Sequence, residues 1–337
     1  MKKVLKVLKV FFVLLLTLLV FIFVFSFGEN PSSISYGVSF SKLRAEDLNL
    51  DWKQAYLATL DDLKVRKLRL SAHWPMVEPR EGEYVFTELE YQISEAQKRD
   101  AEVILAVGRR LPGWPECHVP DWAKGLPWEE QKKSILLLIE EVVSRFASYE
   151  NIKYWQVENE PFLEIFAHQY CGDLDEEFLK QEIALVKRLD QTRPILVTDS
   201  GNLGLWHGAW KSGDAFGTSL YIYLWNPELG QVKSVLWPSF YKTKKNIMSI
   251  MFGRRESFLI ELSLEPWLIA PAIETPLEIH FNRMDVNKFN EIIRFAKRTG
   301  FESQYLWGVE WWYWMKNQGH GEFWEGAREL LEKSDFF

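Results

Sequence analysis

The chain has 337 residues, 47% of them hydrophobic, with a formal net charge of −7. An acidic chain of this kind carries no electrostatic footprint for nucleic acid, so a DNA or RNA partner is not expected. The aromatic fraction is 15% and includes 16 Trp; indoles fill cores, and their faces also stack on the C–H faces of sugar rings.

In chain order, Lys2, Lys3, Lys6 and Lys9 precede an apolar run from Val10 to Phe27 that is interrupted only by Thr17 and Ser26. A basic stretch before a membrane-length segment predicts a signal anchor or transmembrane helix over residues 1–28, with the remainder of the chain outside the cytoplasm. The small-x-small candidate for cleavage, Ser26-Phe27-Gly28, is crowded by bulky neighbours, so a retained anchor is favoured over a cleaved signal that would leave the protein secreted. Residues 29–35 read as a linker and 36–337 as one domain.

That domain alternates strand-like and helix-like stretches. Strands are predicted at 35–39, 67–71, 102–107, 153–157, 195–198, 215–221, 257–260 and 304–310, with amphipathic helices between them at 128–147, 178–189 and 286–298. Gly300 is expected to close the last of these in a left-handed conformation. Eight such units in about 300 residues predict an α/β fold, a single (β/α)8 barrel. Cys117 and Cys171 fall in the loops after the third and fourth strands, where an exported domain would join them in a disulfide and a reducing compartment would leave two thiols. No metal-ligand spacing occurs and the six His are scattered, so neither metal nor cofactor is implied.

Two glutamates end strand-like runs about 100 residues apart: Glu160 in Glu158-Asn159-Glu160-Pro161, and Glu261 in Phe258-Leu259-Ile260-Glu261. Carboxyls at strand ends sit at the mouth of a barrel, where active sites gather, and a facing pair is the minimum equipment for cleaving a glycosidic bond. Glu265 competes with Glu261 for the inward position, and Glu261 is preferred as the last inward residue of its strand. Glu158 and Glu310 are expected in structural salt bridges.

With these residues in place the chain resembles a clan A glycoside hydrolase, the superfamily of retaining β-glycosidases built on a (β/α)8 barrel. The likeness rests on Asn159-Glu160-Pro161 after the fourth strand, Glu261 after the seventh and Arg69 in the second. It extends to Trp74-Pro75-Met76-Val77-Glu78-Pro79 after the second strand and to Trp311, Trp312 and Trp314 after the eighth. The resemblance implies Glu160 as acid/base and Glu261 as nucleophile, about 5–5.5 Å apart, acting by double displacement. It also implies Arg69 as a partner of Glu261, and Asn159 as a hydrogen-bond partner of the sugar 2-hydroxyl. Tyr221-Ile222-Tyr223 occupies the place where many relatives carry His-x-Tyr, which makes Tyr223 the expected second partner of the nucleophile. Tyr221, His73 and Trp74 are further candidates for the sugar site, and one of Trp311 and Trp312 is expected to line a subsite.

The expectation is a monomeric retaining β-glycosidase for an oligo- or polysaccharide, hydrolase or transglycosylase, held at the membrane by its N-terminal segment. The alternative is a barrel that binds carbohydrate or serves as a scaffold without turnover. A Schiff-base aldolase is disfavoured because no predicted strand ends in Lys. The sugar and the choice between endo and exo action stay open, since the loops at 109–127 and 162–175, with Trp114, Trp122, Phe166 and His168, decide them.

Overall fold

The computed structural model describes residues 30–163, 165, 168–226 and 228–332, together with scattered positions between 3 and 17. The predicted anchor over 1–28 therefore lies mostly outside the described residues, and among those described no helix is long and apolar enough to cross a membrane.

Eight parallel strands close into a barrel. Its first six are β1 (Ser35–Ser39), β2 (Lys67–Ser71), β3 (Glu102–Val107), β4 (Ile152–Val157), β5 (Ile195–Asp199) and β6 (Ala215–Leu220). A hairpin of β7 (Tyr223–Asn226) and β8 (Gly230–Lys233) follows, so the seventh and eighth barrel strands are β9 (Ser257–Ser263) and β10 (Ser303–Trp307). β1 pairs with both β2 and β10, which closes the ring.

Alternation along the strands sorts side chains into two apolar layers. Ile104, Leu196, Ala215, Phe258, Ile260 and Tyr305 pack inside the barrel, whereas Leu68, Leu105, Trp155, Val197, Leu259 and Leu262 face the helices. A filled interior leaves only the strand ends for chemistry. The helix Trp128–Phe146 buries Ile135, Leu138, Ile139, Val142, Val143 and Phe146, a single face at spacings of three and four residues. Aspartates start two others: Asp175 accepts from the Phe178 N–H ahead of Glu176–Leu189, and Asp285 from the Lys288 N–H ahead of Val286–Ala296. Gly300 takes the left-handed conformation expected of it, with φ +83°.

Three differences from the sequence reading go beyond small shifts at element ends, besides the extension of the seventh barrel strand from residue 260 to Ser263. The strand predicted to reach residue 310 stops at Trp307; Gly308 turns the chain at φ +118°, and Val309–Asn317 is a helix. A continuous apolar run suits a buried helix as well as a buried strand, so periodicity cannot locate that change. The supposed linker already belongs partly to the barrel, because Ser35 pairs with Ser303 and Asn30 accepts from Lys242 at 3.2 Å. The β7–β8 hairpin stands where only a connection was expected.

β9 carries a bulge. Leu259 pairs with Thr218 and Glu261 with Ser219, two steps on β9 against one on β6. Ile260 packs inside the barrel, and the extra residue brings Glu261 to the inner face as well.

Candidate active site

The carboxyl ends of β4, β6 and β9 carry the site. After Val157 the chain makes an irregular turn in which Glu158 and Glu160 hold positive φ, 57° and 44°, conformations that cost free energy in residues other than glycine. The turn is pinned on every side. Glu158 N–H donates to Val107 O at 3.0 Å, Asn159 N–H to Arg110 O at 2.6 Å and Glu160 N–H to Thr198 Oγ1 at 2.8 Å. Gly108 makes room for it: a Cβ there would lie 2.2 Å from Glu158 Oε1. Glu158 caps the loop leaving β3, accepting from the Arg109 and Arg110 N–H groups at 2.6 Å each.

Arg69, only 1% exposed, organises the inner face. Its Nε donates to Gln156 Oε1 at 2.9 Å, Nη2 to Asn159 Oδ1 at 2.6 Å and Nη1 to Glu261 Oε2 at 3.0 Å. Asn159 is thereby oriented with its oxygen occupied, leaving the amide nitrogen to donate elsewhere. The other Glu261 oxygen accepts from the Tyr221 phenol. A guanidinium on one oxygen and a phenol on the other fix the orientation of the Glu261 carboxyl. Burial and the charge of Glu261 push the Tyr221 phenol well above its ordinary range, so it stays a donor.

Glu160 is set up in the opposite sense. Burial, then the charges of Glu116 and Glu261, push its carboxyl well above the usual range, with Ser219 opposing weakly, and Oε1 has no hydrogen-bond partner. A buried carboxyl raised toward its protonated form thus stands within the charge field of one gripped by a guanidinium and a phenol, an arrangement suited to acid-assisted displacement.

Several expectations need correction. Tyr223 does not touch Glu261; it opens the β7–β8 hairpin and donates to Glu291 at 2.5 Å, because β6 ends at Leu220 and Tyr221 is the first residue past it. Trp311 and Trp312 are fully buried in the helix after β10, their ring N–H groups bound to His280 Nδ1 and Leu264 O at 2.9 Å, which is core packing and no sugar platform. Trp74 is likewise buried, donating to Glu78 at 2.7 Å and packed edge-on against Trp122. His73 is 3% exposed, against His118 and the Pro112 carbonyl, and burial holds its pKa down at about 3. Glu158 and Glu310 form no ion pair among the described residues; they accept backbone N–H groups instead, Glu310 that of Ser41.

Residues that the sequence reading missed complete the site. Trp307, the last residue of β10, is half-buried, and its ring N–H is fixed by Glu265 at 2.8 Å, while Arg44 holds the other Glu265 oxygen at 2.9 Å. Position at a strand end was the available signal, obscured by the Trp cluster that follows. Glu116 and Arg110, on the loop after β3, form an ion pair at 2.7 Å beside the two glutamates. Trp267 packs against Tyr221 with ring centroids 5.6 Å apart. Cys117 and Cys171, by contrast, are the disulfide candidate of the sequence reading, and they are joined in a disulfide with Cα atoms 5.5 Å apart, tying the β3 loop to the β4 loop. Behind that tie lies a cavity of about 420 Å³ lined by Pro75, Arg109, His118 and Tyr170 among others, away from the paired glutamates. Phe166 lies outside the described residues. No cluster of three or more His, Cys, Asp or Glu that could hold a metal occurs among the described residues.

No family model and no curated protein matches the chain. Solved structures do match in fold. GH5_18 from Bifidobacterium longum subsp. longum ATCC 55813 superposes with a TM-score of 0.58 at 13% identity, over 82% of this chain and 70% of that one. A variant of that protein, in complex with Manb1-4GlcNAc, gives 0.58 at 12% identity, over 81% and 68%. Xylanase 10B from Thermotoga maritima gives 0.52 at 15% identity, over 82% and 83%. The shared feature is the barrel.

Proposed function

We propose that the chain is a retaining glycoside hydrolase of the clan A type, cleaving β-linked oligo- or polysaccharide with Glu160 as acid/base and Glu261 as nucleophile. One observation carries the reading: Glu261, gripped by Arg69 and Tyr221, shares the barrel mouth with Glu160, a buried carboxyl inclined to keep its proton. In the first step a Glu261 oxygen attacks the anomeric carbon while Glu160 gives its proton to the departing oxygen, leaving a glycosyl ester on Glu261. In the second, Glu160 takes a proton from water, whose oxygen displaces Glu261 and regenerates both groups. Asn159 donates to the sugar 2-hydroxyl, a bond that tightens as positive charge develops on the ring.

The barrels of known glycosidases support this reading, and the Manb1-4GlcNAc bound to one of them puts β-mannosides first in a substrate panel. The basic, apolar stretch over residues 1–28 supports membrane attachment with the barrel outside the cytoplasm, and the disulfide fits such an oxidising compartment. Hydrolysis of aryl β-glycosides by the full chain tests the activity, and Glu261→Ala with added azide tests the roles. Rescue as a glycosyl azide of inverted configuration is expected; sugar binding without turnover would favour a binding protein instead.

A further inference from the structure

The loop leaving β3 does more than link two elements. Residues 111–117 fold into a tight turn, with Leu111 N–H donating to Glu116 O at 2.9 Å and Glu116 N–H to Gly113 O at 2.7 Å. The disulfide at Cys117 ties the turn to the β4 loop. It also reaches across the barrel mouth, since a Cβ on Gly113 would come 4.0 Å from the Trp307 ring at the end of β10. At its tip Glu116 holds φ +69°, a left-handed conformation that non-glycine residues keep only where their surroundings impose it.

That strained backbone delivers a third carboxylate to the site. Glu116 Oε2 accepts from Arg110 Nε at 2.7 Å. The Glu116 charge is felt by Glu160; burial raises the Glu116 carboxyl itself, its Arg110 partner opposes that rise, and the charges of Glu261 and Arg69 act on it in opposite senses. Arg110 is fixed in turn, its Nη1 donating to Leu163 O at 2.9 Å, while its Nη2 is buried without a partner. Glu160 Oε1 is the other unpartnered buried atom here, and both residues are more than nine-tenths buried. A structural ion pair would satisfy its own atoms; this one leaves a donor unused and a carboxylate partly open, with side-chain exposure of 22%.

Resting on the hydrolase reading of the same site, we propose that Glu116, braced by Arg110, is the specificity-determining residue of the cleft. It accepts hydrogen bonds from hydroxyls of a neutral sugar beside the catalytic pair and refuses sugars that carry a carboxylate. A carboxylate is acceptor-only, so it rewards hydroxyl donors, and an anionic ring would be left with an unpaired like charge.

The test compares matched aryl β-glycosides (glucoside, mannoside, galactoside, xyloside and glucuronide) with wild type, Glu116→Gln and Glu116→Asp. Each is measured as kcat/KM with Glu261 intact, and as calorimetric affinity on the Glu261→Ala background, where nothing is consumed. Glu116→Gln is expected to weaken the preferred neutral sugar roughly tenfold and to narrow the neutral-to-uronide ratio by about the same factor. Glu116→Asp, which keeps the charge and withdraws it, should lose neutral-sugar affinity yet still refuse the uronide, so the inference remains testable if the Gln variant does not fold. Turnover with an unchanged ratio in Glu116→Gln, or a wild type that prefers the glucuronide, overturns the inference and leaves the hydrolase reading standing. A changed affinity ratio without turnover does the reverse, and a wild type that neither binds nor cleaves any member overturns both.

Discussion

Tyr221 leaves β6 with its phenol on Glu261, whereas Tyr223, two residues on, gives its phenol to Glu291. Losing a hydrogen bond to a charged group costs about 1.5–3 kcal/mol, so Tyr221→Phe is expected to lower kcat on an activated aryl glycoside by roughly 10- to 100-fold. Tyr223→Phe should stay within about twofold of wild type. Steady-state kinetics of the two variants decide between the partners. The residue types at this site were legible in the sequence; the assignment between the two tyrosines was not, because it turns on whether the strand ends at residue 220 or 221. Glu160 carries a second prediction. Its carboxyl is raised, and only its protonated form can assist the leaving group, so kcat/KM should hold to pH values well above the ordinary carboxyl range and then fall. Because the Glu116 charge contributes to that rise, Glu116→Gln should move the falling limb to lower pH, which a pH–rate profile would show.

At the scale of elements, strand order and most strand bounds follow from apolar runs between turn residues, and the capping aspartates mark where helices start. Two devices that aim the site leave no such trace. The bulge in β9 lies inside the uniform run Phe258-Leu259-Ile260, where nothing distinguishes a regular pleat from an extra residue. The turn after β4 needs Gly108 on a different strand end, a requirement visible only once Glu158 folds against it. Gly108→Ala should therefore act on the whole β3–β4 junction. It adds a side chain at φ +123° and forces Glu158 off the Arg109 and Arg110 N–H groups. The backbone alone accounts for about 1–3 kcal/mol. A lowered urea midpoint with an unchanged slope is the expected result, accompanied by loss of activity, because Asn159 and Glu160 ride on the same turn.

For the molecule as a whole, buried carboxyls and the disulfide set the response to solution conditions. The bridge closes a sequence separation of 54, for which the chain-entropy model gives about 4 kcal/mol, so reduction should lower the melting temperature. The buried carboxyls respond to pH in the opposite sense from the surface ion pairs, which lower carboxyls such as Asp61 and Glu95. Glu310 is buried beneath the first strand's loop, against the Ser41 N–H, Glu265 and Arg44, and burial raises its carboxyl to about 8. Burial also raises Glu160 and Glu182, which is hydrogen-bonded to Glu158. In the unfolded chain these groups ionise in the ordinary carboxyl range, so between about pH 4.5 and 8 the folded state holds a proton at Glu310 that the unfolded state has lost. Stability from that group is complete below the lower limit and is lost as pH rises through the upper one, at up to about 1.4 kcal/mol per pH unit. Glu310→Gln keeps the neutral shape and an acceptor for Ser41 while removing the titration. Its melting temperature, followed from pH 5 to 9, should decline less than that of wild type; parallel curves would mean that Glu310 is already ionised in the folded barrel, with Arg44 compensating its charge.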